Sequence, residues 1–273
     1  MSEQHREDSM DNDAYVREVH DKGLQFDLRT MSRRRMLTAL GTAGVLTAVG
    51  GRLITDDTPA AAACAAEVES ETAGPYPADG SNGVEIRTVA GVVRSDIRSS
   101  FNGATGVAGG IPLTFSLTVL NLSCVPLVGA AVYAWHCDRE GRYSLYSSGV
   151  TNQNYLRGIQ ATDSTGKVTF TSIYPGCYSG RWPHIHFEVY SSLANATSGR
   201  GLIVKTSQIA LPRDVSATVY ATTGYSQSVT NLNRITLASD MVFGDDLAAR
   251  EMATVSGNTT SGYTANLTIS VNA

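Results

Sequence analysis

The stretch IYPGCYSGRWPHIHFEVY, Ile173 to Tyr190, decides how the rest of the chain is read. From His184 onward it alternates, with His184, His186, Glu188 and Tyr190 set against Ile185, Phe187 and Val189. A period of two predicts a strand with one apolar face, because successive side chains of an extended chain point to opposite sides. His184 and His186 then share the polar face and lie side by side. Two neutral imidazoles held this way can chelate one metal ion. Taken alone, a His-x-His pair reads first as two solvated residues on an amphipathic strand. The breaker-rich turn from Pro175 to Gly180 shifts that balance, since it can swing Tyr178 and Arg181 back over the same spot.

The chain has 273 residues and a net charge of −4. Nothing in this balance suggests a nucleic-acid partner, which would show as a basic patch. Charged residues make up 17%, and Gly, Ser and Thr are plentiful, a composition that fits strands and turns better than helices. Residues 1–66 read as a leader. Ser32-Arg33-Arg34-Arg35-Met36-Leu37 is followed by an uncharged run from Thr38 to Gly51 and by alanines at 60–63. A basic segment, a modest apolar segment and small residues are the parts of a signal peptide, and the arginine pair resembles a twin-arginine signal. The apolar run is too short and glycine-rich for a membrane span, so the mature form is expected to have none. Cleavage is expected between Ala60 and Ala66. Lipidation of Cys64 is the alternative, although Ala61-Ala62-Ala63 lacks the large aliphatic residue usual before such a site.

Residues 67–273 form the predicted folded domain. Strand patterns appear at Val89–Val93, Thr114–Leu120, Ala130–Cys137, Leu202–Leu211 and Ala265–Val271, with an extended segment restarting at Arg142–Tyr146. Gly158–Thr162 and Lys167–Ile173 flank Asp163-Ser164-Thr165-Gly166, which reads as a hairpin. With frequent turn signals and no sustained helical periodicity, the expected class is all-β, a β-sandwich with long connecting loops. Cys64, Cys124, Cys137 and Cys177 lack the spacing of a zinc ribbon. An even count in an exported chain allows up to two disulfides in any of three pairings.

Of the five histidines, His5 and His20 fall in the leader, leaving His136, His184 and His186. A site on the last two needs further ligands. Tyr143, in Gly141-Arg142-Tyr143, and Tyr178, in Pro175-Gly176-Cys177-Tyr178, each sit near glycines that allow close backbone approach. Phenolates are hard anionic donors, so two of them with two imidazoles favour ferric iron over zinc or copper(I). The ion's charge would hold both phenols deprotonated far below their free pKa of about 10.

These residues resemble the intradiol ring-cleavage dioxygenases, the family of protocatechuate 3,4-dioxygenase and catechol 1,2-dioxygenase. The resemblance rests on Thr72-Ala73-Gly74-Pro75-Tyr76, Pro126 to Ala130, Trp135 to Asp138, Gly141 to Ser144, and Leu156-Arg157-Gly158. It continues through Thr162-Asp163, Tyr174 to Tyr178, Arg181, His184 to His186 and Gln208. It implies a β-sandwich holding non-haem Fe(III) through Tyr143 and His184 as equatorial ligands and Tyr178 and His186 as axial ones. It implies that O2 and an aromatic diol react there, with ring opening between the hydroxyl-bearing carbons. Tyr178 would yield to the substrate and take its proton, and Arg181 would stabilise developing charge. Gln208 would donate a hydrogen bond in the pocket, and Tyr76 would wall the cavity. The short segment from Ser179 to Pro183 resembles the exported branch and leaves the favoured catechol open; hydroxyquinol or a lignin-derived catechol are alternatives. The pattern is compatible with a homo-oligomer without fixing one.

Blander readings stand beside these. Tyr143 could be an ordinary half-buried strand residue, Arg181 a surface partner of Glu188, and Gln208 a group that satisfies backbone. Trp135 reads as core, and His136 as a packed strand histidine near enough to support the site. A β-sandwich binding module without catalysis, or a zinc hydrolase on the histidine pair, are the competing functions; the hydrolase leaves both tyrosines unexplained. For the leader, replacing Arg33 and Arg34 by lysine is expected to retain the protein in the cytoplasm, read by cell fractionation. Unchanged export would point to another route.

Overall fold

Described by the computed structural model are residues 66–273; the arginine pair, the apolar run and Cys64 lie outside the described residues. In chain order these form β1 (Pro112–Asn121), β2 (Ala131–Trp135), β3 (Arg157–Ala161), β4 (Lys167–Ile173) and β5 (His184–Tyr190). Then follow α1 (Leu193–Thr197), β6 (Ile203–Ala210), α2 (Arg213–Tyr220), α3 (Ser226–Leu232), a short 3-10 turn, β7 (Thr254–Asn258) and β8 (Gly262–Val271). The strands make two four-stranded sheets, ordered β4-β1-β8-β7 and β3-β2-β5-β6. The fold is an all-β sandwich.

Alternation along β1 places Leu113, Phe115, Leu117 and Val119 on one buried face. Phe115 opposes Phe170 across the β1–β4 ladder, and their rings stack at 5.0 Å. Ile185, Phe187 and Val189 join the same cluster from β5 of the other sheet, so the two apolar faces close on each other. The ladder between β1 and β8 is parallel and ties the first strand to the last.

Residues of β5 are buried along its whole length. On its outer side Tyr190 belongs to a second buried cluster with Tyr133 and Trp135 of β2, Ala78, Ile86 and Val92 of the N-terminal segment, and Tyr143. The polar face is therefore enclosed rather than solvated. Its alternation marks two buried environments, hydrocarbon on one side and hydrogen-bonding groups on the other.

Three local expectations are corrected. Asp163–Gly166 does form a turn, with Asp163 Oδ1 accepting from the N–H of Thr165 (2.8 Å) and Lys167 (3.0 Å). However, β3 pairs with β2 while β4 pairs with β1, so the turn carries the chain between sheets and is no hairpin. Turn chemistry is local, whereas the choice of strand partner is made by side chains farther away. Val89–Val93 is a series of turns with one isolated bridge, Val93 to Ile159, and Arg142–Tyr146 is turn rather than strand. β7 is mostly exposed and α2 and α3 are eight and seven residues long, too short or too solvated to print a period. Cys124 is disulfide-bonded, while Cys137 and Cys177 are buried free thiols and form no second bridge. Among the described residues no helix is long and apolar enough to cross a membrane.

Because Phe187 is fully buried between the sheets, Phe187→Ala is expected to cost about 3–5 kcal/mol by chemical denaturation. Leu202 is 86% exposed, and Leu202→Ala should stay within about 0.5 kcal/mol.

Candidate metal centre

The register of β5 places His184 and His186 two residues apart on its outer face, with their Nε2 atoms 3.1 Å from each other. Tyr143 Oη lies 3.3 Å from His184 Nε2 and 3.1 Å from His186 Nε2. Tyr178 Oη stands 3.2 Å from His184 Nε2 and 3.5 Å from Tyr143 Oη. Four donor atoms thus converge on one point. Ligands about 2.1 Å from a common first-row ion are about 3.0–3.4 Å apart for right-angled to tetrahedral geometry, so these spacings fit a single ion. Among the described residues no group of three or more His, Cys, Asp or Glu is placed to hold a metal. Without the phenols there would be no site.

Each imidazole is oriented differently. His184 Nδ1 donates to the carbonyl of Trp182 at 2.5 Å, which leaves the Nε2 lone pair facing the cluster. His186 Nδ1 has no hydrogen-bond partner; its ring instead lies flat on Trp135, centroids 4.9 Å apart and planes 4° from parallel. Burial, with help from Arg181, lowers the pKa of His184 to about 3. Burial and the neighbouring His184 hold His186 well below the ordinary imidazole value. Both rings are therefore neutral, as metal ligands must be. Burial pushes Tyr143 and Tyr178 upward, a shift that a multivalent cation at the convergence would reverse.

The tyrosines arrive on two turns pressed together. Asp138 Oδ1 accepts from the N–H of Glu140 and of Arg142, each at 3.0 Å, and its other oxygen accepts from Arg142 Nε at 3.0 Å. Gly176 donates to the Asp138 carbonyl at 3.0 Å, and a Cβ at position 176 would meet Arg139 O at 2.7 Å and Asp138 O at 2.8 Å. Only glycine allows that approach. Gly141, at φ +83°, packs against Tyr178 in the same way. Arg157, buried, fastens the loop to the N-terminal segment by donating to Tyr76 O (2.9 Å), Pro77 O (3.1 Å) and Ser144 O (3.0 Å).

Tyr76 stacks obliquely on Tyr143 at 4.9 Å. Gln208 pairs with His186 across the β5–β6 ladder; its Oε1 accepts from Arg181 Nη2 at 2.6 Å and its Nε2 donates to Thr72 O at 2.9 Å. Arg181 is buried and pairs with Asp240 at 3.1 Å, whereas Glu188 accepts from Tyr190 at 2.5 Å; the surface pair of Arg181 with Glu188 does not form. Tyr143 is a buried loop residue and not a half-buried strand one. His136 is turned to Ser172 Oγ and Cys137 O, both at 2.7 Å, and takes no part in the cluster. Asp240, Arg157 and the stacking role of Trp135 were missed by sequence reasoning. Only Arg157 carried a signal, as the middle residue of Leu156-Arg157-Gly158 at the head of β3.

The family model described as Dioxygenase matches residues 91–184. A solved intradiol ring-cleavage dioxygenase from Tetranychus urticae superposes with a TM-score of 0.58 at 25% identity, covering 77% of this chain and 95% of that one. The chain is similar over these spans to the intradiol ring-cleavage dioxygenases. Chlorocatechol 1,2-dioxygenase from Rhodococcus opacus is 33% identical over 66 residues, 24% of this chain. That match spans about a quarter of the curated relative, 26% of its length. Within the dioxygenase match lie Tyr143, Tyr178 and His184; His186, Gln208 and Asp240 lie beyond it. Gly176→Ala is expected to lower stability by about 1–3 kcal/mol through backbone overlap and to move the Tyr178 ring, seen as a changed near-ultraviolet circular dichroism.

Proposed function

We propose that the chain is an intradiol ring-cleavage dioxygenase that opens a catechol-type ring between its hydroxyl-bearing carbons, with O2 as co-substrate. The observation that carries this reading is the convergence of Tyr143, Tyr178, His184 and His186 Oη and Nε2 atoms at 3.1–3.5 Å. Two hard phenolic oxygens with two imidazoles favour Fe(III), and these four residues would hold it. The bound ion would supply Lewis acidity toward a chelating diol and so make the ring reactive to O2. Both atoms of O2 end in the product, so no external reductant is consumed.

This chain's own groups would do the remainder. Tyr178 comes from a turn rather than a strand, which suits the ligand that yields to substrate, and its Oη would take a proton from a substrate hydroxyl. Arg181, on the same turn, would present a preorganised cationic edge to charge gathering on the diol. Gln208 holds that guanidinium in place, and Tyr76 would wall the ring. The enclosed face excludes bulk water, which strengthens each of these interactions. We place the enzyme outside the cytoplasm. The arginine pair and apolar run support export, and a disulfide at Cys124 suits an oxidising compartment.

Purified protein is expected to carry about one ferric ion per chain, with visible tyrosinate-to-iron absorption, and to convert catechol to cis,cis-muconate. Tyr143→Phe should reduce both iron content and colour. Stoichiometric zinc in a colourless wild type, or a yellow semialdehyde product, would overturn the assignment.

A further inference from the structure

We propose that Asp240 sets the substrate class of this site: by neutralising Arg181, it makes the site select diols that carry no carboxylate. This rests on the dioxygenase reading. Arg181 lies three residues from both Tyr178 and His184, and it is 4% exposed. Its Nε donates to Asp240 Oδ2 at 3.1 Å and its Nη2 to Gln208 Oε1 at 2.6 Å.

Asp240 is itself locked. Its Oδ2 also accepts from Trp182 N–H at 2.6 Å, and its Oδ1 accepts from the N–H groups of Val242 and Phe243 at 2.8 and 3.0 Å. Its side chain is fully enclosed. Burial pushes its pKa up, but the Arg181 charge and those amides outweigh burial and hold the carboxyl below the usual carboxylate range. The pair is a neutral unit with fixed geometry, and it cannot turn to meet a ligand without leaving a buried charge unpaired.

Two other buried cations face this side of the sheet, Arg87 and Arg157, and both are committed: Arg87 pairs with Glu85 at 2.6 Å and donates to Tyr190 Oη, and Arg157 is held as described above. Beyond the three backbone carbonyls already named, Arg157 donates to Ser144 Oγ at 3.1 Å and Tyr133 Oη at 3.2 Å. A carboxylate brought in on the substrate ring would lose its hydration and find no uncommitted cation among Arg181, Arg157 and Arg87. An uncharged ring would instead meet Tyr76, which packs on Tyr143 at 4.9 Å and Tyr146 at 5.1 Å. Arg181 can still polarise the diol, because a guanidinium paired through Nε keeps a donor-rich edge.

The test compares 4-methylcatechol with 3,4-dihydroxybenzoate on the iron-loaded protein, and compares binding of the uncleavable p-cresol and 4-hydroxybenzoate by calorimetry. For wild type, kcat/KM should favour 4-methylcatechol by about 100-fold or more, the scale of an unpaired buried polar group, with p-cresol the tighter ligand. Asp240→Asn frees the guanidinium and should shrink both preferences about 10-fold or more, while Asp240→Glu should restore them. A purely structural role would weaken all four ligands alike and leave the ratios in place. Equal or better cleavage of 3,4-dihydroxybenzoate by wild type overturns the inference alone, and needs no variant to fold. Failure of iron-loaded wild type to cleave any diol overturns the dioxygenase reading itself.

Discussion

Two imidazole nitrogens held 3.1 Å apart, with a phenolic oxygen within 3.3 Å of both, form an arrangement that only a shared proton or a cation makes favourable. Lone pairs so placed repel, and the low dielectric of the interior amplifies the repulsion. The surrounding structure must therefore be stiff enough to hold the donors in place. That stiffness comes from the strand, whose ladder on both sides fixes the two histidines. It comes also from the Trp182 carbonyl, which sets one ring, and from the Trp135 indole, which sets the other.

The second requirement is enclosure. A sandwich sheet ordinarily needs one covered face, yet the β3-β2-β5-β6 sheet is covered on both. Covering a polar face costs free energy unless its groups find partners, and the charged groups that do so are also the clamps. Arg157 binds the N-terminal segment to the loop carrying Tyr143. Arg181, Asp240 and Gln208 bind the Tyr178 turn to the C-terminal segment and, through Thr72, to the N-terminal one. Polar satisfaction and site assembly are here the same set of bonds.

Those clamps also determine electrostatic character. The guanidinium beside the donor cluster is not a free positive charge, because its carboxylate partner is buried with it and held by three backbone amides. A site can thus keep an oriented cationic edge while its net charge stays near zero, which separates stabilising a transition state from attracting an anion.

Much of the molecule was legible in the residues. The alternation from His184 to Val189 determined a strand and its two faces, because side-chain direction in extended chain depends only on parity. β4 and most of β1, β2, β3, β6 and β8 followed likewise, and the motif residues named the four side chains that converge. What the residues left open was everything settled between distant segments. The Asp163–Gly166 turn looked the same whether it closed a hairpin or crossed between sheets, and the polar face of β5 looked the same whether wet or enclosed. Asp240 lies 59 positions from Arg181 in a segment without periodicity, so nothing local marked it as a counter-ion. Parity and turn chemistry act within a few residues and are written in sequence; partner choice, burial of polar faces and charge pairing are decided by which segments come to lie together, and only the tertiary structure shows that.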